Sequence, residues 1–177
     1  MLSAAARGVR CLPDAFELGA RWFSEALLYT PFAARSRGDR LAESVTHADG
    51  VIGHRSAGAA VRACTSLRDA TQFVIIEAKM FSGLSTGTTR APEYDQAARN
   101  VACLARALST NHYLLESYRS LGFWVLAPES QISANFFACV CRESVESKIG
   151  APVGEYEIGS AKNPAGRVVA RLAPPAA

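Results

Sequence analysis

The sequence predicts an α/β domain with a central mixed sheet flanked by helices. Three observations carry that expectation. Residues Gln72–Met80 (QFVIIEAKM) are apolar on nearly every position of both faces, as a strand covered on two sides must be. A turn-rich stretch and then a helical apolar period follow directly, over residues 93–108. Extended and helical patterns also alternate along 177 residues, a length that suits one compact domain.

Taken in order, Pro13-Asp14 offers a helix start, and residues 14–29 (DAFELGARWFSEALLY) are expected to form a first helix. Its stripe of Leu18, Trp22, Glu25 and Tyr29 follows helical spacing. Pro31 and the polar ARSRGD segment break it. Residues 41–54 (LAESVTHADGVIGH) read as extended, with Val45, His47, Asp49 and Val51 expected on one face. Residues 55–70 read as a loop or hairpin excursion. After the strand at 72–80, Ser82–Pro92 is turn-rich, and Pro92, Glu93 and Asp95 suit the start of a helix over 93–108. That helix has a core-facing stripe of Ala97, Val101, Leu104 and Leu108. Gly122–Ala127 reads as a further strand and residues 133–149 as a helix. The core is expected over about 14–128, with a C-terminal helix and frayed tail over 129–177 and no internal repeat.

Composition excludes several classes. No apolar run approaches membrane-spanning length, and the first residues carry no apolar stretch of signal-peptide type, so a cytoplasmic protein is expected. The five cysteines are odd in number and lack zinc-ligand spacing, which argues for reduced thiols rather than a disulfide framework. No GxSxG elbow, HExxH or phosphate-binding P-loop pattern occurs. A net charge of +3 is compatible with a nucleic-acid partner without requiring one.

Chemistry concentrates at the end of the 72–80 strand. Strand alternation sets Phe73, Ile75, Glu77 and Lys79 on one face and Val74, Ile76, Ala78 and Met80 on the other. A carboxylate and an ammonium thus share one edge of an apolar strand, where either charge alone would be costly to bury. An ordinary strand-end ion pair is the plain alternative. Against it, only three of the 19 basic residues are lysines, and one of them, Lys79, stands here. Lysine is a compact point charge suited to approaching a water or phosphate oxygen, whereas guanidinium is a planar fork. Asp49 lies upstream in an extended segment, and Gln96 lies near the start of the helix that follows.

The arrangement Asp49 … Glu77-Ala78-Lys79 followed by a helix bearing Gln96 resembles the PD-(D/E)XK nuclease superfamily. The resemblance implies a restriction-endonuclease-like αβββαβ core and a metal-dependent phosphodiesterase. It assigns the family's acidic pair to Asp49 and Glu77 and its lysine to Lys79. Gln96 corresponds to the helix glutamine of RecB-like members, and Glu25 to the acid frequent in the first helix, with Glu43 as the rival for that role. Ala48 stands where a proline often precedes the family's Asp. Asp49, Glu77 and the Ala78 carbonyl would hold Mg2+ or Mn2+, hard cations that take oxygen ligands. Lys79 would orient the attacking water or stabilise the transition state. Gln96 would position substrate or water, and Arg90 and Arg99 would contact phosphates; His47 is a lesser candidate beside the metal. The substrate implied is DNA, with a homodimer or protein partner supplying any narrow specificity. The alternative is a nuclease-fold protein that binds nucleic acid or a protein without cleaving.

Overall fold

The structure is a computed structural model that describes residues 15–34, 37, 39, 42–43, 45–54, 70–87, 91–110 and 115–161. Its order is β1 (Arg21–Tyr29), β2 (Val45–Gly53), β3 (Gln72–Ala78), α1 (Gln96–Thr110), β4 (Ser120–Leu126), α2 (Glu129–Ser133) and α3 (Arg142–Ala161), with a 3-10 turn at Leu115–Ser117. The four strands form one mixed sheet in the order β1-β2-β3-β4. The first three run antiparallel in succession, and β4 pairs parallel to β3 after the α1 crossover. The α/β class with a mixed sheet and flanking helices is therefore present.

β3 forms because six of its seven residues are buried, leaving Ala78 exposed at the end. Val74 and Ile75 are wholly enclosed, and each such side chain stabilises the fold by about 1.5–3 kcal/mol. Phe73 and Ile75 join the main core beneath α1, with Val51, Phe123, Ala97, Ala98 and Leu104. On the opposite face Ile52, Val74 and Ile76 make a smaller cluster, against which Ala20 and Trp124 pack. α1 lies on β1, β2 and β4 and is backed by α3. Asp95 caps α1 by accepting the Ala98 amide at 3.0 Å and ties it to α3 by accepting from Lys148 Nζ at 2.7 Å. Burial works against the charge on Lys148, but the Asp95 bond and charge outweigh it and raise its ammonium above the ordinary value.

Two expected elements differ. The segment expected as a first helix over 14–29 is strand β1 from Arg21 onward, so the sheet is preceded by no helix among the described residues. The stripe of Leu18, Trp22, Glu25 and Tyr29 is exposed rather than buried, and it is Ala26 and Leu28, two apart, that enter the core. Pairing with β2 along Arg21–Tyr29 overrides the helical spacing. The C-terminal helix expected over 133–149 is instead the short α2 and the longer α3, separated by turns at 134–139. The 55–69 excursion, the helix start at Pro13-Asp14, Arg90 and the tail from 162 lie outside the described residues. No helix among the described residues is long and apolar enough to cross a membrane.

One irregularity shapes everything around Asp49. The β1–β2 ladder runs Arg21↔Gly53 to Ser24↔Gly50 and resumes at Ala26↔Ala48, skipping Glu25 and Asp49, which stand opposite each other. Phe23 and Ala26 both pack toward the main core, as do Ala48 and Val51, so side-chain alternation slips by one residue in both strands at this point. Asp49 therefore does not share one uninterrupted face with Val45, His47 and Val51. Glu25 absorbs the slip with φ +51°, and the Trp22 ring lies over neighbouring Gly50 in the space a Cβ would take.

Candidate active site

The β2–β3 ladder ends at Gly50↔Ile76, whereas β3 stays paired with β4 to Ala78↔Leu126 and on through the Lys79 amide, which donates to Leu126 O at 2.8 Å. β2 and β3 thus separate just where Asp49 and Glu77 emerge. The Asp49 side chain takes over the missing ladder position: Oδ2 accepts the Ala78 amide at 2.8 Å. This bond ties the first acid to the tripeptide that carries the second.

Glu77 is completely enclosed and is held by three donors. Gln96 Nε2 donates to Oε2 at 2.6 Å, Asn100 Nδ2 to Oε1 at 2.8 Å, and Lys79 Nζ lies 3.3 Å from Oε2. Gln96 is itself oriented by the loop after β3. The Ser85 amide donates to its Oε1 at 3.1 Å, and its own amide donates to Ser85 O at 3.0 Å. With the side-chain carbonyl so occupied, its NH2 group is turned to Glu77. Burial pushes the Glu77 carboxyl above its ordinary value, the Asn100 bond and Lys79 pull it back, and the neighbouring Asp49 charge pushes it up further.

Four sequence candidates thus come together: Asp49, Glu77, Lys79 and Gln96. Ala78 lies among them with its amide engaged and its residue exposed. Glu25 stands across from Asp49 on β1, exposed to solvent. Glu43 is elsewhere, accepting from Thr30 Oγ1 at 3.3 Å and facing the Arg99 charge. His47 is exposed on β2. Arg99 donates to Ser85 Oγ at 3.2 Å, at the edge of the same loop. Asn100 was not among the sequence candidates. Its signal was its place one helical turn beyond Gln96, two amide side chains on one face of an alanine-rich helix.

The donor set can be tested against a divalent cation. Two carboxylates face one ammonium here, so the cluster carries uncompensated negative charge when both acids are ionised. Asn100 Oδ1 is also buried without a hydrogen-bond partner, so the polar interior here is not fully satisfied. Among the described residues no group of three His, Cys, Asp or Glu side chains is gathered for a metal. Mg2+ commonly takes one or two protein carboxylates and completes its shell with waters and phosphate, so Asp49, Glu77 and the Ala78 carbonyl fit it chemically. No protein-family model, curated protein or solved structure matches this chain.

Proposed function

We propose that this protein is a divalent-metal-dependent nuclease of PD-(D/E)XK type that hydrolyses phosphodiester bonds in DNA. The observation that carries the reading is the convergence of Asp49, Glu77, Lys79 and Gln96 where β2 and β3 part, with Asp49 bonded to the Ala78 amide. The finer restriction-endonuclease-like fold belongs to the same proposal. It is supported by three antiparallel strands, a crossover helix and a parallel fourth strand in that order.

Asp49 and Glu77, with the Ala78 carbonyl, would hold Mg2+ or Mn2+. The cation would acidify a water and offset charge on the phosphate. Lys79 is placed to hold that water or to face a non-bridging phosphate oxygen, since its ammonium already reaches the site edge. Gln96 and Asn100 keep the Glu77 carboxylate in one orientation, and preorganisation of this kind limits reorientation during reaction. Glu25 stands opposite Asp49 in the β1–β2 register, exposed on β1. One observation favours the non-cleaving alternative: both Glu77 oxygens already accept from protein donors.

Purified protein incubated with single- and double-stranded DNA and RNA, with Mg2+ or Mn2+, tests the reading. Cleavage that requires metal and disappears in a folded Lys79→Ala variant is the expected result. Binding without cleavage under every metal would leave the alternative standing.

A further inference from the structure

Past Lys79 the chain does something that the site itself does not need. Met80 and Phe81 are 72% and 74% exposed, and Phe81 adopts φ +62°, a backbone conformation that bulky side chains rarely take. The conformation is imposed by a buried clamp. Gln131 Oε1 accepts the Phe81 amide at 2.9 Å, and Gln131 Nε2 donates to Ser82 O at 3.2 Å. A second exposed aromatic, Phe136, lies against the same segment, its ring 3.4 Å from where a Cβ on Gly83 would sit. It follows Asn135, which is also left-handed at φ +58°. Phe81, in a conformation uncommon for a bulky residue, and Phe136, which follows a left-handed Asn, therefore both present rings to solvent along the segment after Lys79. Conformations of this sort persist where surrounding contacts over-determine them, typically beside ligands.

We propose that Phe81 and Phe136 are a stacking edge for an unpaired nucleobase, so that the substrate is entered as a single strand; this rests on the nuclease reading above. Phe81 is two residues from Lys79, at most about 7 Å between Cα atoms, which is within one nucleotide of a phosphate held at Lys79. Bases within a duplex have their faces covered by neighbours, whereas an unpaired base offers a π face to an aromatic side chain. Lys79, whose side chain is partly exposed, supplies a cation two residues from Phe81 for the flanking backbone. A protein partner would also value exposed apolar rings. Phe81 follows Lys79, the ammonium of the proposed phosphate-directed site, by two residues, and that adjacency favours the nucleotide.

The test is fluorescence anisotropy in EDTA with labelled single-stranded DNA and RNA of about ten nucleotides and the corresponding duplexes. Wild type is expected to bind at least one single strand more tightly than its duplex. Phe81→Gly suits the left-handed backbone and removes only the exposed ring; it should weaken single-strand binding about tenfold with an unchanged circular dichroism spectrum. Single-strand binding unaltered in Phe81→Gly, or duplex binding as tight as single-strand binding, would overturn the proposal. So would self-association of wild type that Phe81→Gly abolishes without touching oligonucleotide affinity, which would assign the rings to a contact between copies. Cleavage assayed separately with Mg2+ keeps the two readings apart. Metal-dependent cleavage with Phe81-independent binding removes the stacking edge alone. Phe81-dependent binding without cleavage supports the edge and removes the hydrolytic step.

Discussion

Helix α1 presents two polar stripes to two different glutamates, and the surroundings of the two differ in charge. Gln96 and Asn100, one turn apart, grip Glu77 with neutral amides. Arg99 and Cys103, on the neighbouring stripe, belong to the surroundings of Glu43, where Thr30 donates a hydroxyl and Thr46 bonds the Cys103 thiol. Burial raises both carboxyls. Beyond that, the Arg99 cation and the Thr30 bond draw Glu43 back down, whereas at Glu77 the lowering by Asn100 and Lys79 is opposed by the neighbouring Asp49 charge. Glu43 is a carboxyl that burial raises and a nearby cation only partly offsets. Glu77 pairs with Lys79 and has a second acid, Asp49, as a charged neighbour.

The largest effect that would break this contrast is on cleavage. Asp49→Asn is expected to reduce the metal-dependent rate by about 100- to 1000-fold, while Glu43→Gln stays within about twofold, measured as kcat on a common substrate. Equal losses in the two variants would erase the distinction. Next in size, Asn100→Ala should weaken Mn2+ binding by roughly 10- to 100-fold in calorimetric titration, because the glutamate loses the donor on Oε1. A metal affinity unchanged by that substitution would reduce Asn100 to packing.

A smaller effect separates the stripes by pH. Because the Glu43 carboxyl is raised from 4.5, its contribution to stability is fully present below that value and is lost as pH rises through the folded-state pKa. Glu43→Gln should therefore gain on wild type between pH 4 and pH 7, by roughly 2 °C in Tm measured by thermal denaturation. A gain in the opposite direction would mean that the Arg99 charge outweighs burial. The smallest effect concerns Cys103, whose thiol burial pushes up to about 12. At pH 8 an alkylating reagent should modify exposed Cys139 and spare Cys103 until the protein is unfolded, as read by intact mass.

The parts of this molecule that were legible beforehand are those where local pattern and tertiary role agree. β3 is buried on both faces and is apolar on both, so its period and its place coincide. α1 has caps at the start and a core stripe, and Gln96 falls at its first residue. The site residues on β3 inherit that clarity, since alternation alone puts Glu77 and Lys79 on one side. β1 was misread because Leu18, Trp22, Glu25 and Tyr29 mimic a helical face, while its true inward residues are as small as Ala26. The helix expected over 133–149 differs from α3, which runs on through Gly150, Pro152 and Gly154, residues of low helix propensity. Val145, Ile149 and Tyr156 nevertheless bury the helix against the core, and that burial outweighs the propensity. The slip at Glu25 and Asp49 could not be read at all, because it arises from two strands bending together.

Tyr156 on α3 reaches back to the beginning of the sheet. Its hydroxyl donates to Ala33 O at 2.8 Å, across 123 residues of chain, and its ring meets Phe32 edge-on at a centroid distance of 5.4 Å. Phe32 lies three residues after β1 and also meets Tyr94 edge-on at 5.4 Å, so one side of its cover is missing until α3 arrives. During synthesis the strands emerge long before that helix, and closing so long a loop is slow. A chain ending before Tyr156 would hold the strands of the sheet with Phe32 packed on Tyr94 alone.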